Sequence, residues 1–105
     1  PCQFRYFECL PGGYSTLEYH EHTHMVMIGR GKGQLLLGDE IYDVKKGDFI
    51  EIPGNTIHQF RANKGDYIGF FCLVNKERDK VKLLSDEEME TLRNHPKIKA
   101  FLESC

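Results

Sequence analysis

Over residues 2–75 apolar and polar positions alternate in short runs closed by Gly, Pro, Asn or Asp, which predicts strands rather than helices. Residues 2–10, CQFRYFECL, predict a first strand ending at the Pro11-Gly12-Gly13 turn. Its alternation is imperfect, because Phe7 and Cys9 fall on the face of Gln3 and Arg5. That face is expected to be covered, with a second subunit as one candidate cover. Residues 14–20 predict the next strand, Glu21 to Thr23 a turn, and His24 to Ile28 the strand after it. Gly29, Gly31 and Gly33 read as turn and close backbone approach, since no helical pattern follows them as a phosphate-binding loop would need.

Leu35, Leu36 and Leu37 are consecutive, so the strand from Gln34 to Leu37 needs cover on both faces. Gly38-Asp39 is a hairpin signal, with Glu40 to Val44 as the returning strand. Lys45-Lys46-Gly47-Asp48 turns again into Phe49 to Ile52. Pro53-Gly54-Asn55-Thr56 predicts a tight turn that presents His58, and Asn63-Lys64-Gly65-Asp66 another before the apolar run Tyr67 to Val74. Strands this short and this regularly punctuated predict an all-β barrel or sandwich.

The pattern changes at Asn75. Residues 76–82, KERDKVK, read as a solvated connection. Ser85 with Glu88 predicts a capping box and a helix of about ten residues, ended by Asn94-His95-Pro96. Pro96 can open a second short helix through Glu103, which leaves His95 at the surface or at a helix end. The expected organisation is a barrel in residues 1–75, with residues 76–105 as a charged connection and helical tail of the same domain, packed on the barrel or on a partner.

A chain of 105 residues has the size of one domain with a modest core. Its 14 Lys and Arg against 16 Asp and Glu, the absence of Trp and the lack of a basic cluster with interleaved aromatics exclude a nucleic-acid partner from the expectation. No apolar run reaches the ~18 residues of a membrane span. The chain opens into an alternating strand rather than a signal peptide, so the cytoplasm is the expected compartment. Cys2, Cys9, Cys72 and Cys105 show no paired spacing and read as reduced thiols. Cys72 lies in the apolar Tyr67–Val74 strand and reads as a small buried hydrophobe that can face the barrel interior.

The chemistry is concentrated elsewhere: Glu18, His20, His22 and His24 fall within seven positions of one alternating run. In a strand, residues two apart point to the same side, so these side chains can converge. Imidazole and carboxylate together suit zinc, manganese, iron or nickel, whereas burying them without a shared charge partner costs on the order of several kcal/mol. The spacing adds a second block. Gly12 leads after five residues to Glu18, then past one to His20, past three to His24 and past six to Gly31. Gly47 leads after five residues to Pro53-Gly54-Asn55, and past two more to His58.

This two-part spacing resembles the cupin signature. The family's first motif is Gly, five residues, His-x-His, three or four residues, Glu, six residues, Gly; its second is Gly, five residues, Pro-x-Gly, two residues, His, three residues, Asn. The resemblance covers about residues 4–75 and is closest to small single-domain cupins with His at the usual Glu position, through Pro11 to Gly13, His58 to Phe60, and Phe70 with Cys72. Asn55 stands at a motif Gly and Ala62 at the final Asn. Where the family has His, His, Glu and His, this chain has Glu18, His20, His24 and His58, the same donors permuted.

The resemblance implies a cupin-type jelly-roll β-barrel with a short C-terminal helical tail, holding one divalent metal ion (Mn, Fe, Ni or Zn) on Glu18, His20, His24 and His58. His22 is the less favoured substitute, because leading with His20 and His22 would put the third ligand at Val26, which cannot bind. Four protein ligands leave one or two positions open on a five- or six-coordinate ion. Phe60, two residues beyond His58, is expected to wall the site. The implied function is a metal-dependent enzyme running an oxygen-dependent or isomerising reaction on a small chelating molecule; alternatives are a non-catalytic binding or sensory module and, less so, a structural barrel assembling through its tail. No catalytic acid or base is assigned. No Arg or Lys falls on an assigned inward position, which argues against a phosphorylated sugar. A homodimer is expected from the part-apolar first strand and from dimerisation being common in the family.

Overall fold

In the computed structural model, which describes residues 2–75 and 82–103, the longest element is β3 (His24–Leu37), 14 residues where the sequence pattern predicts two strands and a glycine turn. The glycines do not turn the chain. They let one strand serve two sheets. Gly31 has a φ of 69°, and a Cβ there would overlap the Tyr67 carbonyl oxygen; one on Gly33 would overlap the Arg61 carbonyl oxygen. The close backbone approach expected of these residues is therefore present.

The first half of β3 pairs antiparallel with β7 (Ile68–Asn75) and β5 (Phe49–Ile52). The second half pairs with β4 (Glu40–Lys45) and β6 (His58–Ala62). Outside β7 lies β1 (Cys2–Cys9), and beyond β6 come β2 (Glu18–Tyr19) and β8 (Lys82–Leu83), giving the order β1-β7-β3-β6-β2-β8 with β4 and β5 also on β3. The sheet curls into a jelly-roll barrel closed around Val26, Ile28, Leu35, Ile52, Ile68 and Phe70.

The expected strand over residues 14–20 is cut short. Tyr14 makes an isolated bridge to Arg61, and ladder pairing resumes only at Glu18. Ser15 interrupts it: its hydroxyl accepts from the Phe60 N–H and its carbonyl oxygen from Gln59 Nε2, so side chains take places that a regular ladder would fill. Of the connection read as solvated, residues 76–81 lie outside the described residues, as does Cys105; Lys82 belongs to β8, opposite Tyr19.

Leu36 explains the tail. It points away from the barrel core that takes Leu35, and it is buried with Leu92, Ile98 and Phe101 of α1 (Asp86–Arg93) and α2 (Pro96–Leu102). Both faces of the triple-leucine strand are covered, one by the barrel and one by the helices. The capping box forms as read, with the Glu88 N–H donating to Ser85 Oγ and the Ser85 N–H to Glu88 Oε1. His95 is the exposed N-cap of α2.

Candidate metal centre

Three imidazoles converge where the strand ends meet. His24 opens β3, His58 opens β6 directly opposite Glu18 of β2, and His20 follows β2 immediately. All three are buried, at 1%, 4% and 4% exposure for His20, His24 and His58, and each offers one ring nitrogen within 4.8 Å of the others. Ligands at ~2.1 Å from a common ion stand ~3–4 Å apart, so a slight inward adjustment completes the geometry.

The backbone already orients two of the rings. His58 Nδ1 lies 2.9 Å from the Thr56 carbonyl oxygen, and His20 Nδ1 lies 2.8 Å from that of His22. A carbonyl can only accept, so each Nδ1 carries the proton and each Nε2 keeps its lone pair, the arrangement that fixes a metal-ligating imidazole. Burial, aided by the neighbouring imidazoles and Arg5, lowers His24 to about 3. Burial likewise lowers His58 to about 4, against the opposing pull of the Thr56 carbonyl. Both rings are therefore neutral, in ligand form, at ordinary pH.

The Glu18 carboxylate Oε1 is 3.9 Å from His58 Nε2, on a side chain 21% exposed. Burial raises its pKa, and the charges of Arg5 and His22 partly offset this. His22 sits in the bend between β2 and β3, its ring stacked on His20 at 3.9 Å and its Nε2 2.8 Å from His24 Nε2. The structure thus brings the less favoured candidate to the edge of the cluster.

Holding the two motifs together is the turn before His58. Asn55 has a φ of 59°, the left-handed conformation for which the family's Gly is suited and which Asn among other residues best tolerates. Its N–H donates to the His20 carbonyl oxygen at 2.6 Å. Gly54 lies so close to Glu21 that a Cβ would overlap the Glu21 carbonyl oxygen.

Beside the cluster opens a cavity of about 460 Å³, within the range of small-molecule sites. Glu18, His24 and His58 line one part of it, and Phe60, stacked on Phe70 at 4.3 Å, forms the expected apolar wall. Cys72 faces in as well, and burial pushes its thiol up to about 11.

One lining residue corrects the sequence reading. Arg5, Phe7 and Cys9 line this cavity, so this face of β1 turns to the barrel interior, with Cys9 buried and Phe7 still 41% exposed. A cationic side chain therefore does reach the interior. The signal was present in the alternation, which puts Arg5 on the same face as Phe7 and Cys9; the inward assignment of that face was missing. On the opposite face Phe4, Tyr6, Met25 and Leu73 present apolar surface.

The cupin domain family model matches residues 5–74. The chain is a cupin. Among curated proteins, this cupin is 45% identical over 101 residues to the 1-methylthio-D-xylulose 5-phosphate methylsulfurylase of Rhodospirillum rubrum, covering 96% of this chain and 65% of that protein's length. Among solved structures, it is similar to a cupin 2 conserved barrel domain protein of Rhodopseudomonas palustris, with 52% identity and a TM-score of 0.93 over 95% of this chain and 69% of the other. A cupin-2 domain protein of Rhodospirillum rubrum gives 44% identity and a TM-score of 0.94, over 97% and 69%.

Proposed function

We propose that this cupin is a metal-dependent enzyme in which Glu18, His20, His24 and His58 hold one divalent ion of manganese, iron, nickel or zinc beside the cavity. The observation that carries the reading is the convergence of three buried imidazoles, two with Nε2 lone pairs set by backbone carbonyls, on a space large enough for a small molecule. As substrate we propose a phosphorylated ketose bearing a methylthio group, of the kind named for the Rhodospirillum rubrum relative. Support comes from identity spread over 96% of this chain and from a cationic residue inside the cavity.

When bound, the ion supplies Lewis-acid polarisation of a carbonyl. Of the two reaction types expected from the resemblance, a ketose favours the isomerising kind, proton movement next to a carbonyl. The residues of the chain set the stage for it. Phe60 and Phe70 keep water from one wall, and Cys72 presents a thiol that stays protonated at neutral pH. We further infer a homodimer through the exposed apolar face of β1, β7 and β3, where Phe4, Leu73 and Met25 lie side by side across the strands.

The test is to load metal-free protein separately with manganese(II), iron(II), nickel(II) and zinc(II) and follow the fate of 1-methylthio-D-xylulose 5-phosphate. The expected result is turnover with at least one metal and its loss in His58→Ala, along with the bound ion. Binding without turnover under every metal would move this cupin to the binding modules. Turnover that survives in both His20→Ala and His58→Ala would place the chemistry elsewhere.

A further inference from the structure

We propose that Arg5 is the anion-binding residue of the cavity and receives the phosphate of the substrate, an assignment that rests on the phosphorylated-substrate reading above. Arg5 sits on β1 opposite Cys72 of β7, and its side chain lines the same space as Glu18, His24 and His58. One small molecule can therefore touch both ends. The guanidinium carries a permanent charge, and such a charge inside a protein demands a partner. Its Nε is buried with no hydrogen-bond partner, and none of the ion pairs among the described residues includes it.

Its surroundings say which partner fits. The guanidinium stands 5.0 Å from the centre of the Phe7 ring, which covers its face and leaves its edge of N–H donors for a planar or tetrahedral oxyanion. Two carboxylates line the cavity with it: Glu8 already accepts from Tyr6 and pairs with Arg30, and in the proposed centre the charge of Glu18 answers to the metal ion. The balancing anion must then arrive with the ligand. Phosphate is the group with the charge and the oxygen geometry for this N–H edge, and its binding here would point the ketose end towards the imidazoles.

The experiment is calorimetric titration of metal-loaded protein with inorganic phosphate, D-xylulose 5-phosphate and D-xylulose, in wild type, Arg5→Met and Arg5→Lys, with bound metal measured in each. Arg5→Met is expected to weaken both phosphate-bearing ligands about 10- to 100-fold, to leave D-xylulose and metal content unchanged, and to be partly rescued by Arg5→Lys. Equal weakening of D-xylulose and its phosphate would overturn the assignment, because Arg5 would then shape the cavity rather than read the anion. So would phosphate binding indifferent to Arg5→Met, or wild-type protein that takes up neither phosphate-bearing ligand. Arg5-dependent uptake of inorganic phosphate without binding of the ketose ester would keep the anion site and sink the ketose reading alone.

Discussion

Metal-free protein is expected to lose stability when acidified from about pH 7.5 to about pH 5, a range over which many small proteins stay near their maximum. His24 and His58 have folded values of about 3 and about 4. In the unfolded chain both return to ~6.5. Below that pH the unfolded chain binds protons that the folded one refuses, so stability falls as the pH falls, down to the folded values. Over the stated interval each ring accounts for about 2 kcal/mol, a figure governed by the unfolded value because both folded rings are still neutral at pH 5. Glu18 works the other way: its raised folded pKa lets the folded state take a proton first, which returns part of the loss. The rings also face a cavity that admits water, and screening there brings the expected net loss to about 2–3 kcal/mol. For a domain of this size that is a Tm lower by about 10–20 °C. Urea unfolding followed by circular dichroism, with chelator present at both pH values, measures it. A stability difference below about 0.5 kcal/mol would show that the rings ionise freely in the fold, and the argument for ready-neutral ligands would go with it.

Three further outcomes follow from named residues. Glu18→Ala is expected to weaken metal binding by at least about tenfold more than His22→Ala, measured by competition with a chromophoric chelator; the reverse order would make His20, His22 and His24 the donor set. Gly31→Ala combines a positive φ with collision against the Tyr67 carbonyl and is expected to cost about 3 kcal/mol or more in urea unfolding, whereas a cost under about 1 kcal/mol would mean that β3 and the start of β7 are not so tightly packed there. Sedimentation at micromolar protein is expected to give a dimer for the wild type and a monomer for Phe4→Glu with Leu73→Glu; a monomeric wild type counts against that face as an interface.

Much of this architecture was legible because strands alternate and turns demand particular residues. The hairpin at Gly38-Asp39, the turn at Pro53 to Thr56 and the Ser85 cap are local events, decided within four residues, and each forms where the sequence puts it. The resemblance to the cupin spacing also singled out His20, His24 and His58, which the strand ends carry together. What local pattern cannot reveal is which neighbour arrives. Gly29 to Gly33 reads as a turn when seen alone and becomes a strand because the chain at β7 comes within backbone contact of Gly31 and β6 within contact of Gly33. Ser15 breaks a predicted strand through bonds to Gln59 and Phe60, far along the chain. Arg5 was hidden for the same reason: alternation tells which residues share a face, and only the curl of the sheet tells which face is inside.

The bond from the Asn55 N–H to the His20 carbonyl oxygen, with Gly54 pressed against Glu21, joins two distant stretches of chain by backbone alone. It makes the stations of the site indifferent to their occupants, for a peptide group bonds alike whatever side chain it bears. The conformational freedom of this loop is surrendered on folding, so in the proposed centre an ion would meet donors already set in place. In the proposed donor set the same bond would let a carboxylate and an imidazole trade places between the first and third stations: the scaffold prescribes where donors stand, and leaves evolution free to choose which donor stands there.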